Sequence, residues 1–257
     1  MSQLSLLVAK DISKRFGGVQ ALEDVTFEVR EGEILGLIGP NGAGKTTMFN
    51  IVSGVFEADQ GQVRFRDQDL RGLRPHRRAR MGIARTFQNL QLFQRMTVLE
   101  NLMVSVDAFA RRGLLADALR LPVARFEEKR ADERAQSLLY FLGIGHTANT
   151  LAGDLPVGLQ RRVELGRALA LRPTLLLLDE PAAGLDARET ADLAATLRRI
   201  RDRFKLTMLL VDHDMALVMR VCEHIYVLDF GRLISEGAPE QIREDATVIR
   251  AYLGEAA

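Results

Sequence analysis

Cysteine, net charge and long apolar runs are all scarce in this chain of 257 residues. Its one cysteine, Cys222, excludes an internal disulfide framework and indicates a reducing compartment, with a buried, inert thiol. A net charge of +1 gives no global field toward nucleic acid or an anionic membrane. No apolar run approaches the roughly 18–20 residues that span a membrane, and residues 1–12 lack the basic start of a signal peptide. We therefore expect any membrane role to depend on a partner protein.

A glycine-rich segment follows the apolar run at residues 34–38 and precedes a helix-like pattern. It matches G-x-x-x-x-G-K-[ST] in the strand–turn–helix context that gives this motif its physical meaning. Glycines allow a tight turn whose N–H groups point at an anion, and the next helix adds the positive end of its dipole. Lys45 would then reach the β- and γ-phosphates of a nucleoside triphosphate, and the Thr46 hydroxyl would bind Mg²⁺. An ordinary glycine-rich turn is the alternative. The candidate nucleotide-binding residues are Gly39, Pro40, Asn41, Gly42, Ala43, Gly44, Lys45, Thr46 and Thr47.

Hydrophobic periodicity predicts an α/β fold. Apolar and polar residues alternate at residues 25–29 and 62–66, as in half-exposed antiparallel strands. Continuous apolar runs at residues 34–38, 175–178 and 208–211 indicate parallel strands that helices cover on both faces. Because helical patterns follow these runs, we expect an α/β core with right-handed crossovers. Together with the glycine-rich phosphate-binding motif, this indicates a P-loop NTPase core with an antiparallel β subdomain.

The middle of the chain, residues 89–170, has a different pattern. Thr97 begins a capping box that opens one helix, and residues 125–142 form a long amphipathic pattern. No strand pattern is evident in this part of the sequence. We therefore predict an α-helical subdomain at residues 89–170, inserted into a core made of residues 1–88 and 171–257.

Asp179 and Glu180 follow the apolar run at residues 175–178. The carboxyl ends of strands in open α/β sheets are where ligands bind. Asp179 would hold Mg²⁺, and Glu180 would polarise a water for in-line attack on the γ-phosphate. The alternative is that both residues only end a strand, since Pro181 follows.

Gln88 and His213 also follow predicted strands. The Gln88 amide would bind Mg²⁺ or the attacking water and report nucleotide state to the helical insert; an ordinary glutamine at a strand end is the alternative. The His213 imidazole would donate to the γ-phosphate or orient the water beside Glu180. A lone histidine is more often structural, but this one belongs to the predicted edge that carries Asp179.

Phe16 and Asp186 each have two interpretations. Phe16 precedes two glycines in an early turn, where its ring would stack on adenine, although a core phenylalanine is the alternative. Asp186, with Glu189 three residues later, has the pattern of a helix N-cap.

Two further stretches have unusual composition. Residues 71–85 are rich in arginine, but aromatic partners for base stacking are absent, so we favour a solvated helix face over a nucleic-acid site. Residues 87–96 are unusually apolar for a loop, which indicates either a docking site for a partner's helix or simple core packing.

These motifs, in this order, resemble those of the nucleotide-binding subunit of ATP-binding cassette (ABC) transporters along essentially the whole chain. The resemblance implies a single ABC ATPase domain over residues 1–257, with ATP and Mg²⁺ as ligands. It implies an adenine-stacking Phe16, a Q-loop at Gln88, a Walker B motif at Asp179 with catalytic Glu180, a D-loop at Asp186 and a switch histidine at His213. It also implies a head-to-tail pair, in which each ATP lies between one phosphate loop and the partner's signature motif.

The signature motif departs from the family pattern. Where L-S-G-G-Q is usual, the chain has Leu155-Pro156-Val157-Gly158-Leu159. The helix near Gly158 should still point its dipole at the partner's γ-phosphate. Pro156 removes one hydroxyl donor, and a lost transition-state donor costs about 3–4 kcal/mol in unfavourable cases. We therefore expect an impaired site and a heterodimer whose other ATPase has its own signature.

Several segments resemble the larger ATPase of branched-chain amino-acid importers. They are residues 85–88, 179–185, 213–215 and 249–255, together with an excursion near residues 107–125. The resemblance implies two membrane permeases, a second ABC ATPase subunit, a solute-binding protein acting through the permeases, no nucleic acid, and a peripheral position on the cytoplasmic face of the inner membrane. Importers of urea or short amides share these features. An ABC ATPase acting on ribosomes or DNA, and a small-molecule kinase, are further alternatives.

Overall fold

The computed structural model describes residues 4–86, 90–107 and 122–253. Predicted site residue Gln88 and most of the excursion near residues 107–125 lie outside these ranges. The chain divides into two compact units. We call Met1–Gln88 with Thr174–Ala257 the core unit, and Asn89–Pro173 the helical unit.

Strands occur in the core unit and form two sheets. In chain order they are β1 (Ser5–Phe16), β2 (Val19–Arg30), β3 (Ile34–Ile38), β4 (Gln60–Phe65), β5 (Gln68–Asp69), β6 (Ile83–Arg85), β7 (Leu175–Asp179), β8 (Thr207–Val211), β9 (His224–Asp229) and β10 (Arg232–Gly237).

The larger sheet has the strand order β10-β9-β3-β8-β7-β6. Its strands are parallel except for β10, which pairs with β9 in the antiparallel sense. Every residue of β3, β7 and β8 is buried, as expected for strands covered on both faces. The predicted runs at residues 175–178 and 208–211 are confirmed as central strands, and their carboxyl ends meet at one edge of the sheet.

The second sheet is antiparallel, with the order β2-β1-β4-β5. One face contributes apolar residues to a core shared with the larger sheet; Phe27 and Phe65 belong to the same cluster as Phe49 and Leu37. The antiparallel β subdomain predicted from alternation is thus confirmed.

The described helices are α1 (Lys45–Ser53), α2 (Pro75–Arg80), α3 (Val98–Asp107), α4 (Pro122–Phe141), α5 (Val157–Ala170), α6 (Ala187–Phe204), α7 (Met215–Val221), α8 (Pro239–Glu244) and α9 (Ala246–Leu253). Helices α3, α4 and α5 pack together in the helical unit, which also contains 3₁₀ turns at Gly145–Thr147 and Ala152–Asp154. Within the described ranges, no helix combines the length and apolar character needed to cross a membrane.

The arginine-rich stretch at residues 71–85 is not simply a solvated helix face. Arg77 and Arg80 of α2 are exposed, as predicted. Arg78 is buried and donates to the carbonyls of Ile51 and Val52 at 2.6 and 2.8 Å, near the end of α1. Arg85 lies on β6, where it is mostly buried. The prediction was therefore wrong for these two arginines, because composition alone does not reveal which side chain finds buried acceptors.

Candidate functional site

The glycine-rich loop joins β3 to α1 with three glycines at positive φ: Gly39 at 149°, Gly42 at 77° and Gly44 at 103°. A Cβ on Gly39 would lie 2.0 Å from the Leu228 carbonyl oxygen, so only glycine fits there. The sequence therefore folds locally as predicted, with a strand, a tight turn and a helix that begins at Lys45.

Lys45 is buried at the start of α1. Its ammonium donates to the carbonyl oxygens of Gly39 and Pro40, each at 2.6 Å. Both acceptors belong to the loop itself. The side chain is thus folded over the loop, which brings a positive charge to the place where the loop's backbone turns.

Asp179, the last residue of β7, is buried. Its Oδ2 accepts from Arg85 Nη2 at 2.7 Å, and its backbone N–H lies 3.3 Å from the Thr86 hydroxyl. Thr46, another predicted magnesium ligand, is exposed in the first turn of α1.

Glu180 and His213 follow β7 and β8, which are neighbours in the sheet. Glu180 Oε2 lies 3.8 Å from His213 Nδ1. Glu180 has a positive φ of 44°, and its backbone N–H donates to the Val211 carbonyl at 2.7 Å. A left-handed conformation is costly for a residue with a Cβ and is often found at functional sites. Tertiary structure therefore holds Glu180 out of the ordinary β conformation and turned toward His213.

Asp212 is a fully buried residue of this edge that sequence reasoning missed. Its two carboxylate oxygens accept from the backbone N–H groups of Ala182, at 3.0 Å, and Asp214, at 2.9 Å. Burial raises the pKa of the Asp212 carboxyl above its usual value, against the effect of these two hydrogen bonds. The side chain ties the turn after Glu180 to the turn that carries His213. The sequence did contain one signal for Asp212: it is a carboxylate directly before the candidate histidine His213.

Phe16 ends β1 and is 42% exposed. Its ring makes an edge-on contact with Phe56, with centroids 5.3 Å apart, and Lys14 Nζ lies 5.4 Å from its centroid. Phe16 is therefore not a core residue, which removes the alternative considered from the sequence. Its ring is available to pack against a flat ligand.

Asp186 is the N-cap of α6. Its Oδ1 accepts from the N–H groups of Arg188 and Glu189 at 2.8 Å, while the Glu189 carboxylate accepts from the Asp186 N–H at 3.1 Å. This reciprocal pattern is a capping box, and the N-cap prediction is confirmed. Cys222, predicted to be inert, is likewise buried, and burial raises its thiol pKa well above the usual range.

The signature-like segment begins α5 in the helical unit. Pro156 occupies the N-cap position and supplies no side-chain hydrogen bond, because its ring has no donor or acceptor. Its carbonyl accepts from the N–H groups of Leu159 and Gln160, both at 3.0 Å. Gly158 is half-buried in the first turn. The helix starts at Val157, so Val157 and Gly158 both belong to its first turn.

The apolar segment predicted as either a docking site or core packing contains one buried and one exposed apolar residue among its described positions. Leu92 is 8% exposed and belongs to the core, whereas Phe93 is 46% exposed. Asn101, which is fully buried, holds this loop: its Oδ1 accepts from the Phe93 N–H at 3.0 Å, and its Nδ2 donates to the Phe93 carbonyl at 3.1 Å. Arg167 adds a guanidinium 4.9 Å from the centre of the Phe93 ring. The buried Asn101 side chain therefore fixes the backbone of this loop, while the Phe93 ring stays exposed.

Comparison with known proteins decides the family. The family model described as "ABC transporter" matches residues 22–183, which is more than half of the chain. The chain belongs to the ABC transporter family. A second model, "Branched-chain amino acid ATP-binding cassette transporter", matches residues 232–257. ABC ATPase domains bind nucleotide and hydrolyse ATP, so this chain is an ATPase. The predicted fold class is also confirmed.

Curated relatives of this ABC protein span its whole length. It is 44% identical over 256 residues to the branched-chain amino acid transport ATP-binding protein LivG of Salmonella typhimurium, covering 100% of both chains. It is 43% identical over 251 residues to the Pseudomonas aeruginosa protein BraF, which carries the same description, covering 98% of both chains. It is also 38% identical over 252 residues to the lipopolysaccharide export ATP-binding protein LptB of Escherichia coli K12, again covering 98% of each.

Solved ABC cassettes have the same fold. A cassette in its ADP conformation matches with a TM-score of 0.85 and 32% identity, covering 98% of this chain and 99% of that one. A dimeric cassette in a post-hydrolysis state with ADP and Pi matches with a TM-score of 0.76 and 25% identity, covering 91% and 98%.

Donor chemistry at the sheet edge fits a nucleotide with magnesium. Mg²⁺ in proteins prefers oxygen ligands, usually one or two carboxylates together with waters and substrate phosphates. Asp179 has an oxygen besides the Oδ2 that accepts from Arg85, and Thr46 brings a hydroxyl on the residue after Lys45. The residue types are therefore suitable for this ion.

Proposed function

We propose that this ABC ATPase energises a membrane importer and that the assembled importer carries branched-chain amino acids. The observation that carries the proposal is the common edge of the larger sheet, where β3 leads to Lys45, β7 to Glu180 and β8 to His213. The amino-acid class is supported by full-length similarity to LivG and BraF and by the second family model over residues 232–257.

Nucleotide binding in this proposal begins with the phosphate loop. Its N–H groups and the Lys45 ammonium hold the phosphates, in exchange for the two loop carbonyls that Lys45 contacts here. Phe16 stacks on the adenine ring. Asp186 and Gly158 act across the interface with a second ATPase subunit, where Gly158 lies at the positive end of α5.

Magnesium is held in this proposal by Thr46, Asp179 and Gln88. When bound, the ion neutralises charge on the β- and γ-phosphates. Oxygen donors of these three types suit a hard cation.

Water attack falls to Glu180 and His213. Glu180 accepts a proton from the attacking water, or polarises it, while the water oxygen bonds to the γ-phosphorus and ADP leaves with the bridging oxygen. His213, 3.8 Å from that carboxylate, orients the pair and donates toward the γ-phosphate. Gln88 positions the same water. Because all three residues act on a water molecule in this proposal, water and not an alcohol substrate accepts the phosphoryl group.

The complete importer in this proposal contains two permeases, a second ABC ATPase and a solute-binding protein, with this chain peripheral on the cytoplasmic face. The exposed Phe93 is the contact for a permease helix, whereas Leu92 is core. Because Pro156 lacks the hydroxyl of the usual signature, the second ATPase supplies the fully competent signature.

The test is reconstitution of all subunits in liposomes, with ATP turnover and leucine uptake measured together. Glu180→Gln should lower both by about 10²–10⁴-fold, because it removes the general base while keeping the shape of the side chain. Glu244→Gln, on the exposed side of α8, is the matched control and should keep wild-type values.

The outcomes separate the parts of the proposal. Turnover that survives Glu180→Gln would remove the catalytic assignment. Uptake of urea or short amides without uptake of leucine would correct the solute, and turnover that responds to lipopolysaccharide instead would replace import by export.

A further inference from the structure

Arg85 makes hydrogen bonds to two parts of the candidate site that belong to different sequence motifs: the end of β7 and helix α1. Its Nη2 donates to Asp179 Oδ2 at 2.7 Å. Its Nη1 donates to Asn50 Oδ1 at 2.7 Å and to the Ser53 hydroxyl at 3.0 Å. Asn50 and Ser53 lie on α1, the helix that begins at Lys45, so one guanidinium joins the phosphate-binding helix to the carboxylate at the end of β7.

The contact is a largely buried ion pair. The side chains of Arg85 and Asp179 are only 14% and 7% exposed. The guanidinium also lies 4.8 Å from the centre of the Phe49 ring, another residue of α1. Removing one partner of a buried pair leaves the other charge uncompensated, so Asp179 without Arg85 would lose its fixed orientation.

The planar fork of arginine is what makes this connection specific. One branch is used for the carboxylate and the other for the polar groups of α1, and lysine has no equivalent pair of donors. Thr86, the next residue, contributes a hydroxyl 3.3 Å from the Asp179 backbone N–H. Asp179 is therefore held at its side chain and at its backbone by two consecutive residues at the end of β6.

We propose that Arg85 is a positioning residue for magnesium: it fixes Asp179 so that the carboxylate presents its other oxygen toward the metal side of the phosphate loop. This inference rests on the proposed role of Asp179. Groups that orient a metal ligand typically change metal affinity by 10–100-fold when they are removed. The effect should therefore appear in the part of ATP affinity that depends on Mg²⁺.

The experiment measures ATP affinity of the full chain by calorimetry, once with Mg²⁺ and once with EDTA, all in the Glu180→Gln background so that ATP is not consumed. The ratio of the two dissociation constants is the magnesium gain. Arg85→Met should reduce this gain by about 10–100-fold while affinity in EDTA stays near its wild-type value. Arg77→Met, an exposed arginine on α2, is the control for loss of one positive charge and should leave the gain unchanged.

A second background tests whether Arg85 acts through Asp179. In Asp179→Asn, the further change Arg85→Met should have no additional effect on the magnesium gain, since the ligand it positions is already altered. A further loss in that background would mean that Arg85 acts elsewhere and would overturn the proposal. Arg85→Lys, which keeps the charge, should lose part of the magnesium gain. If Arg85→Met does not fold, the magnesium gain of Arg85→Lys is the test of the proposal.

Failure of this inference and failure of the proposed function give different results. A wild-type gain that persists unchanged in Arg85→Met and Arg85→Lys overturns the role of Arg85 alone. Equal loss of affinity with Mg²⁺ and with EDTA also overturns it, because that result indicates only support of α1. A protein with no gain before any change to Arg85 overturns the magnesium site itself and the positioning role with it.

Discussion

The sheet edge of the core unit and the loop around Phe93 in the helical unit hold their buried polar groups in different ways. In the core unit, the groups at the sheet edge are charged and fixed by specific partners: Lys45 by loop carbonyls, Asp179 by Arg85 and Asp212 by two backbone N–H groups. In the helical unit, the buried amide of Asn101 holds a loop whose Phe93 is exposed. In the proposed function, the first arrangement positions charges for ATP hydrolysis, and the second presents a surface to a permease.

This difference predicts which property a substitution in each unit should change. Charges that are pre-positioned cost little to reorganise when a ligand binds, so changes in the core unit should affect nucleotide binding first. Changes in the helical unit should affect stability or coupling and leave nucleotide binding intact. Four substitutions test this contrast, beginning with the largest expected effect.

Gly39→Ala should be the most damaging. A Cβ would lie 2.0 Å from the Leu228 carbonyl at a backbone φ of 149°, so the loop or β9 must move. We expect a loss of more than about 3 kcal/mol of unfolding free energy, together with loss of ATP binding. Gly42→Ala is the matched control: φ is 77° but nothing lies within 4 Å, and the left-handed backbone alone costs about 1–2 kcal/mol. Equal effects in urea unfolding and ATP titration would contradict the steric argument.

Asn101→Ala should destabilise the helical unit by about 3 kcal/mol, because the Phe93 N–H and several carbonyls lose their buried partner. ATP affinity should remain unchanged. Asn149→Ala, at an exposed position in the same unit, should alter neither quantity. Thermal unfolding and ATP titration check this prediction, and a fall in ATP affinity at unchanged stability would break the contrast between the units.

Asp212→Asn should cost about 1–3 kcal/mol, because the amide offers one acceptor where two N–H groups need acceptors. Turnover of the assembled complex should also fall, since the loosened turns carry Glu180 and His213. Asp214→Asn is a fair comparison, because Asp214 caps α7 through the Leu217 N–H and asparagine is an equally good N-cap. If both variants unfold at the same urea concentration as the wild type, Asp212 does not hold the two turns.

Pro156→Ser should have the smallest effect on stability. The backbone of Pro156 is already extended, so serine can cap α5 with a gain of at most about 1 kcal/mol. ATP turnover of the reconstituted complex should rise, because the signature regains a hydroxyl donor. A turnover equal to wild type would show that the missing hydroxyl does not limit the reaction.

Local sequence patterns predicted much of the fold and the candidate site. The apolar runs of β7 and β8, the capping box of α6 and the strand–turn–helix around Lys45 are all encoded within short stretches, where propensity and periodicity act directly. The errors concern arginine. Arg78 and Arg85 resembled solvated residues because acceptors of both lie far along the chain. The Ile51 and Val52 carbonyls are 27 and 26 positions from Arg78, and Asp179 is 94 positions from Arg85.

The sequence by itself determined that this chain has a phosphate loop, buried parallel strands with polar residues at their ends, and an altered signature, because each of these depends on neighbouring residues. Only the tertiary structure decided that Arg85 pairs with Asp179, that Asp212 joins two turns and that Phe93 is exposed while Leu92 is buried. The physical reason is that such contacts depend on which strands are neighbours in the sheet and on which loop packs over which helix. Strand order and loop packing minimise the free energy of the whole chain, and no short stretch of residues specifies them.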